Sequence, residues 1–169
     1  SIKTFHLAEG PGGFIEAILN KRRNKNDTYY GMTLMENNAD IPKWNKISNI
    51  MKENPNIKLV YGPKNDGDLY LPHNINFICK NYANSMDFIT GDGGFDYSVD
   101  FNSQEENSIN LIFCEMLYAL IMQKIGGGFV LKVFDIFHRN TIEVLSILSY
   151  FYENVYIYKP LTSREANSE

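Results

Sequence analysis

Three short stretches carry residues that could do chemistry. The first, EGPGGF at residues 9–14, places three glycines between a strand-like run and a helical run. Glycine allows a tight turn and a close approach of ligand to backbone, and a helix N-terminus favours anionic groups. A tight turn that binds nothing has the same pattern, so both interpretations stay open. The stretch lacks the G-x-G-x-x-G spacing of dinucleotide sites and the lysine of a P-loop.

The second stretch, GDGGFD at residues 91–96, puts Asp92 at the end of an apolar strand-like run. Gly93 and Gly94 follow and keep the surface around the carboxylate open, and Asp96 lies just beyond. A carboxylate at a strand end can orient a reacting group. An aspartate in a turn commonly satisfies nearby backbone amides instead. Taken alone, Asp92 is open to both interpretations.

The third stretch, GGGFVLKVFD, carries Lys132 inside an apolar run from Phe129 to Phe134. Burying a lysine is costly unless its charge is paired or neutralised. The sequence therefore predicts an ion pair with Asp92 on a neighbouring strand end, and such a pair marks a candidate site. The alternative is a lysine that faces solvent on an edge strand, which the apolar flanks disfavour.

Strand-like and helix-like patterns alternate along the chain, and these elements must position the three stretches. The predicted strands are residues 4–8, 28–34, 56–62, 86–92, 126–134 and 154–158. The predicted helices are residues 14–22, 42–52, 73–83, 140–151 and one that begins at a capping box of Ser103 and Glu106. Alternation of this kind predicts a doubly wound, mostly parallel α/β sheet with its ligand site at the carboxyl edge.

Composition narrows the function classes. The chain has 169 residues, 44% of them hydrophobic, and a net charge of −4, which predicts one domain with a real core. An acidic chain does not bind nucleic acid through its bulk charge, so such contact needs a local basic patch. Two separate cysteines, Cys79 and Cys114, form no disulfide framework or zinc motif and favour a reducing compartment. No apolar run is long enough to cross a membrane.

Five stretches in order, EGPGGF, GMTL, GDGGFD, GGGFVLKVFD and KPLTSREANSE, resemble an FtsJ-like ribose 2′-O-methyltransferase. More narrowly, they resemble the mRNA cap methyltransferases of eukaryotes and large DNA viruses. The resemblance spans nearly the whole chain and implies a Rossmann-like fold that uses S-adenosylmethionine. It further implies a single methyltransferase domain at residues 1–169 that lacks the family's terminal strand and belongs to a longer protein.

The resemblance implies an active site built from a Lys-Asp-Lys-Glu tetrad. Asp92 matches the aspartate, Lys132 the second lysine and Glu169 the glutamate, while the first lysine belongs upstream of the glycine turn and outside this chain. The resemblance also implies a set of cofactor contacts: Gly10, Pro11, Gly12, Gly13, Phe14, Thr33, Leu34, Asp68 and Asp92. Without the resemblance, Asp68 would be interpreted as a turn residue in an Asp/Gly-rich loop.

Capped RNA is the partner that the resemblance implies, held by Lys159, Ser163 and Arg164 in the C-terminal KPLTSR stretch. That stretch follows a strand-like run and could equally be a frayed polar tail. A second basic run, residues 21–25, is more typical of residues that complement the C-terminal end of a helix. Other capping domains or subunits are further expected partners, and the expected location is intracellular, in the nucleus, the cytoplasm or a viral factory.

Three rival functions remain at this point. A ribosomal or transfer RNA ribose methyltransferase shares the fold, but the KPLTSREANSE ending favours the cap branch. A non-catalytic module in a capping assembly is disfavoured because Asp92, Lys132 and Glu169 are all present. An NAD-dependent oxidoreductase is disfavoured by the glycine spacing and by a second strand that ends in GMTL without an acid.

Overall fold

Strands and helices alternate along the residues that the computed structural model describes, which are 1–35, 44–95 and 103–163. The strands are β1 (Lys3–Leu7), β2 (Thr28–Met32), β3 (Ile57–Leu59), β4 (Met86–Gly91) and β5 (Gln123–Leu131). The helices are α1 (Gly13–Arg22), α2 (Ser48–Glu53), α3 (Pro72–Tyr82), α4 (Gln104–Met122) and α5 (Arg139–Phe151), with a 3-10 turn at Trp44–Ile47.

The five strands form one sheet in the order β3-β2-β1-β4-β5, and every neighbouring pair is parallel. The chain runs outward from β1 to β3, then returns to the other side of β1 and continues to β5. The direction of winding therefore changes between β1 and β4, which is where open α/β sheets bind their ligands. The predicted doubly wound parallel sheet is confirmed.

Helices cover both faces of the sheet. Tyr29 and Tyr30 are consecutive in β2, so their side chains point to opposite faces. Tyr29 packs with residues of α1 and with Trp44, whereas Tyr30 packs against a core cluster that includes Ile78 of α3. A third apolar cluster joins α4 to α5. Burial on both faces anchors the strands, so that the loops at their carboxyl ends are held by a rigid frame.

The strand ends are aligned across the sheet. Leu7 of β1 pairs in register with Met32 of β2 and with Gly91 of β4, and Gly91 pairs with Leu131 of β5. These four residues form one row at the carboxyl edge. The residues that follow the row, including the glycine turn, Thr33, Asp92 and Lys132, must therefore emerge side by side.

The predicted sixth strand is wrong. Residues 154–158 belong to no helix or strand, they pair with no strand in the part of the chain that the structure describes, and their side chains are exposed. The β-branched and aromatic residues of NVYIY suit a strand, yet a strand also needs a neighbour that accepts and donates backbone hydrogen bonds. Side-chain pattern alone does not report whether that neighbour is present.

The predicted capping box of α4 is also wrong. Ser103 precedes the helix but makes no side-chain capping hydrogen bond. Glu105 uses its buried carboxylate differently, since it accepts hydrogen bonds from the Phe137 and His138 amides at 3.1 and 2.8 Å. A long-range contact that ties α4 to the start of α5 therefore replaces the expected local one, and Glu106 is left exposed.

Candidate functional site at the carboxyl edge of the sheet

A lysine–aspartate pair lies directly beyond the row of strand ends. The Lys132 Nζ is 3.1 Å from the Asp92 carboxylate and donates a hydrogen bond of 3.1 Å to the Asp92 carbonyl. The Lys132 amide donates to the Gly91 carbonyl at 2.8 Å, which fixes it against β4. The predicted ion pair is confirmed, although β5 ends at Leu131 and Lys132 follows the strand instead of lying inside it.

The glycine turn joins β1 to α1 in a shape that side chains would disturb. It begins with the cis peptide bond between Gly10 and Pro11. Gly12 precedes the helix with a φ of +108°, and a Cβ there would lie 2.6 Å from the Ile47 side chain. A Cβ on Gly13 would meet no other described atom within 4 Å. One glycine is therefore required by conformation and packing, while the other leaves the turn open to a ligand.

Glu9 caps the N-terminus of α1 from within this turn. Its Oε1 accepts hydrogen bonds from the Phe14 and Ile15 amides at 2.6 and 3.2 Å, and the residue is 1% exposed. Burial is the main reason why the pKa of Glu9 rises to about 8. The place that an anion would take at the helix N-terminus is thus filled by the protein's own carboxyl group.

The loop after β2 meets the glycine turn. The Thr33 hydroxyl accepts a hydrogen bond of 3.3 Å from the Gly10 amide, and Thr33 is 5% exposed. A Cβ on Gly67, in the loop after β3, would lie 1.9 Å from the Thr33 carbonyl oxygen and 3.5 Å from the Leu34 amide. Only glycine at position 67 allows the loop after β3 to pack this closely on Thr33. Since Thr33 also contacts Gly10, the loops after β1, β2 and β3 form one continuous surface.

Asp68 lies in the loop after β3 and is held in a turn. Its carboxylate accepts a hydrogen bond from the Tyr70 amide at 2.8 Å, and its own amide donates to the Asp66 carboxylate at 3.3 Å. Asp66 is anchored in turn by the His73 ring and the Asn74 side chain, at 2.7 and 2.6 Å. The turn interpretation of Asp68 is satisfied, and the residue follows directly after the glycine that contacts Thr33.

Glu115 reaches the site from α4. It is fully buried, and its Oε1 accepts a hydrogen bond of 2.8 Å from the Gly93 amide. Burial raises the pKa of Glu115 to about 8, while the Gly93 hydrogen bond and the Lys132 charge oppose that rise. The second carboxyl oxygens of both Glu9 and Glu115 are buried without a hydrogen-bond partner among the described residues.

A cleft of about 1010 Å³ opens beside the lysine–aspartate pair. It is lined by Phe14, Asp92 and Lys132 on the side of the sheet and by Lys159 and Ser163 on the side of the C-terminal stretch. The structure therefore brings two of the three predicted RNA-contacting residues to the same cleft as the ion pair. The third, Arg164, lies outside the described residues, as do Asp96 and the predicted tetrad residue Glu169.

The basic run at residues 21–25 lies at the other end of α1 from the glycine turn, about 15 Å away along the helix axis. Arg22 pairs with the buried Asp27 and lowers the pKa of that carboxyl to about 2. The Arg23 guanidinium donates to the Asn20 carbonyl at 3.1 Å. These contacts favour the helix-end role of the run over an RNA contact.

Sequence reasoning missed both buried glutamates of the site. Glu9 had a local signal, since an acid directly before a glycine turn can reach the amides of the helix that follows. Glu115 had a weaker one, because it lies on the helical stripe of Leu111, Tyr118 and Met122, all of which are buried. A charged residue on an apolar helix face requires a partner, but the sequence does not identify the Gly93 amide as that partner.

Among the residues that the structure describes, no helix is long and apolar enough to span a bilayer. In the same residues, no group of three or more histidine, cysteine, aspartate or glutamate side chains is arranged to hold a metal ion.

Known proteins that match the chain include RNA methyltransferases. The family model described as FtsJ-like methyltransferase matches residues 2–169. The mouse cap-specific mRNA (nucleoside-2′-O-)-methyltransferase 1 is 35% identical over 172 residues, which cover 96% of this chain and 20% of the mouse protein. The cap-specific mRNA (nucleoside-2′-O-)-methyltransferase of Autographa californica nuclear polyhedrosis virus is 33% identical over 163 residues, 96% of this chain and 60% of the viral protein.

A solved structure supports the fold. A Plasmodium falciparum protein described as a ribosomal RNA methyltransferase superposes with a TM-score of 0.63 at 16% sequence identity. The match covers 96% of this chain and 81% of that one. At this level of identity the likeness concerns the arrangement of strands and helices alone.

Proposed function

The chain belongs to the FtsJ-like methyltransferase family, and from that premise we propose that it methylates a ribose 2′-hydroxyl of RNA with S-adenosylmethionine as the methyl donor. The observation that carries the proposal is the 3.1 Å pair of Lys132 and Asp92, at the same sheet edge as the glycine turn. This edge holds a cation–carboxylate pair, an open glycine turn and a cleft, which are the parts that such a reaction needs.

The residues of the turn fit this cofactor better than a dinucleotide. A dinucleotide places its pyrophosphate on the free amides of a helix N-terminus. Here the Phe14 and Ile15 amides are bonded to Glu9, which disfavours a phosphate at that position and favours a ligand that has none. We propose that Gly10, Pro11, Gly12, Gly13 and Phe14 hold the methionine and ribose parts, and that Thr33, Leu34 and Asp68 contact the adenosine.

Lys132 is the proposed catalytic base. When bound, the cofactor supplies a methyl group activated by a sulfonium, and the ribose oxygen must lose its proton as it accepts that group. The Lys132 Nζ would take this proton as an uncharged amine, or stabilise the developing alkoxide as an ammonium, and Asp92 would orient the Nζ through its carboxylate and its carbonyl. Holding the hydroxyl in line for transfer would supply much of the rate. Glu169 is proposed as a further orienting carboxylate.

Capped mRNA is the proposed substrate. The chain spans about a fifth of the length of the mouse relative and 60% of the viral one, and both relatives are named for action on capped mRNA. Lys159, Ser163 and Arg164 would hold the RNA backbone, the first two from the wall of the cleft. We further propose that residues 1–169 form one methyltransferase domain of a longer intracellular protein that works with other capping domains or subunits.

A transfer assay tests the proposal. The full-length protein is incubated with methyl-labelled S-adenosylmethionine and with capped or uncapped RNA of one sequence. We expect label in the capped RNA, recovered after digestion as a 2′-O-methyl nucleotide next to the cap. Capped RNA that already carries a 2′-O-methyl group at this nucleotide should accept none.

The other outcomes separate the rival functions. Equal labelling of capped and uncapped RNA would favour a ribosomal or transfer RNA enzyme. Binding of S-adenosylmethionine without transfer to any RNA would indicate a non-catalytic module. Label that is recovered in a base instead of a ribose would contradict the proposal as a whole.

A further inference from the structure

The peptide bond between Asp92 and Gly93 is held at both of its polar atoms. Its carbonyl oxygen accepts a hydrogen bond of 3.1 Å from the Lys132 Nζ, and its N–H donates one of 2.8 Å to Glu115 Oε1. A rotation of this peptide plane would disturb both contacts. The position of the carbonyl that meets the Lys132 ammonium is therefore coupled to Glu115, which lies on a different element, α4.

The glycines on either side of Asp92 bring Glu115 close behind this peptide. A Cβ on Gly93 would lie 2.8 Å from Glu115 Oε1, and one on Gly91 would lie 3.0 Å from Glu115 Cδ. The Glu115 carboxyl is fully buried although its Oε2 has no hydrogen-bond partner among the described residues. An apolar residue would fill this space without that penalty, so packing alone does not account for a glutamate here.

From this geometry we propose that Glu115 is a positioning residue for Lys132. It fixes the 92–93 peptide, and through the peptide carbonyl it fixes the Lys132 Nζ in the position that ribose methylation needs. Glu115 acts through this peptide and does not touch the substrate. The inference rests on the proposed function, because it assigns Glu115 to the same reaction.

The burial of Glu115 favours its protonated form at neutral pH. Burial raises its pKa to about 8, the Asp92 carboxylate after β4 acts in the same direction, and the Lys132 ammonium after β5 acts against it. Cys114 adjoins Glu115 on α4, and Glu9 after β1 faces the same Asp92 and Lys132. A glutamine should therefore reproduce the neutral acceptor of the Gly93 amide, whereas a leucine should abolish it.

Three variants of the full-length protein test the inference by methyl transfer to capped RNA. Glu115→Leu should lower kcat on the order of 100-fold and leave the KM for S-adenosylmethionine within about threefold, since misplaced reacting groups slow turnover more than they weaken binding. Glu115→Gln should restore kcat to within about threefold at pH 7 because the hydrogen bond is kept. Glu106→Leu makes the same change at an exposed position of α4 and should behave as wild type.

A pH profile supplies a readout that a purely structural role would not move. Wild type and Glu115→Gln should have parallel kcat profiles below about pH 7, where both present a neutral acceptor. Above the Glu115 pKa of about 8, kcat of wild type should fall below that of the glutamine variant, because the ionised carboxylate places a second negative charge beside Asp92 and Lys132, which the neutral glutamine does not. This comparison decides the matter even if Glu115→Leu fails to fold.

The inference is overturned if Glu115→Leu keeps the wild-type kcat, or if its KM for S-adenosylmethionine rises by as much as its kcat falls. It is also overturned if the kcat profiles of wild type and Glu115→Gln stay parallel over the whole pH range. Absence of transfer by the wild-type protein would overturn the proposed function, and this inference with it. A wild type that is active and a Glu115→Leu variant that is equally active would overturn the inference alone.

Discussion

Two lysine–aspartate pairs bridge β4 and β5, one at each end of the strands. At the amino end, Lys124 and Asp87 lie 2.8 Å apart, and Asp87 also accepts the Lys3 amide at 2.7 Å. At the carboxyl end, Lys132 and Asp92 lie 3.1 Å apart. The side chains of the two aspartates are similarly exposed, at 32% and 33%, while Lys124 is 43% exposed and Lys132 is 22% exposed.

The difference between the two pairs lies in what surrounds them. The Lys132–Asp92 pair adjoins the glycine turn, the cleft and two buried carboxyl groups, Glu9 and Glu115, whose electrostatic fields both reach it. A partly exposed ion pair by itself contributes little to the stability of the fold. Of the two pairs, the one at the carboxyl end is the candidate site, because a ligand surface and two buried acids adjoin it there.

The largest expected effect comes from removing Asp92, with the removal of Asp87 as the matched control. Asp92→Ala should lower kcat about 10³-fold, since Lys132 loses the carboxylate that orients it for proton transfer. Asp87→Ala, the matched change at the amino end, should leave kcat within about twofold and reduce stability by at most about 1 kcal/mol. Steady-state methyl transfer and urea unfolding measure the two effects. Equal losses of activity in both variants would remove the functional distinction between the pairs.

A smaller effect is expected on the cofactor side. Glu9→Leu deletes the acceptor of the Phe14 and Ile15 amides and should weaken S-adenosylmethionine binding about 30-fold, or ~2 kcal/mol, because the glycine turn loses its anchor. Glu9→Gln keeps an acceptor at the same place and should bind within about threefold of wild type. Isothermal titration calorimetry gives both affinities. Unchanged binding by Glu9→Leu would show that the turn does not depend on Glu9.

The smallest expected effect, counted per pH unit and per carboxyl group, is a dependence of the free energy of unfolding on pH. In the unfolded chain Glu9 and Glu115 have a pKa of 4.5, whereas in the fold the pKa of each is about 8. Between these values the folded state binds more protons, so its stability falls as pH rises, by about 1.4 kcal/mol per pH unit for each carboxyl. The pKa of His6 is lowered from 6.5 to about 3 by burial, and His6 acts in the opposite direction below 6.5.

The clearest window is therefore about pH 7 to 8, where His6 is neutral in the fold and mostly neutral in the unfolded chain. Urea unfolding across this window should show the loss of stability in wild type. Glu9→Gln and Glu115→Gln should each remove about half of the slope, since each deletes one titrating group. A wild-type stability that stays level or rises over this window would contradict the assigned protonation of both glutamates.

The sequence predicted those parts of the site that depend on neighbours along the chain or on the order of the strands. Alternating patterns suffice for a doubly wound sheet, and the sheet in turn places the residues after aligned strand ends together. That is why the Lys132–Asp92 pair could be predicted although its members are 40 residues apart. The glycine turn was equally visible because a cluster of glycines between a strand and a helix is a local pattern.

The remaining parts depend on contacts that a linear pattern does not contain. The Gly93–Glu115 hydrogen bond joins a turn to the buried face of a helix, and only the packing of α4 on the sheet decides which amide the carboxyl meets. The strand predicted at residues 154–158 is wrong for a related reason, since strand propensity says nothing about a pairing partner. The roles of Arg164 and Glu169 stay predictions because both residues lie outside the described part of the chain.

The most direct test of the central claim replaces the two lysines of the compared pairs. Lys132→Ala and Lys132→Arg are assayed for methyl transfer to capped RNA and for S-adenosylmethionine affinity, with Lys124→Ala at the amino end of β5 as the matched control. Arginine keeps a cation but does not give up its proton. Both Lys132 variants should lose activity about 10³-fold or more while binding the cofactor within about threefold of wild type. Full activity of Lys132→Ala, or equal losses in Lys132→Ala and Lys124→Ala, would contradict the assignment of Lys132 as the catalytic base.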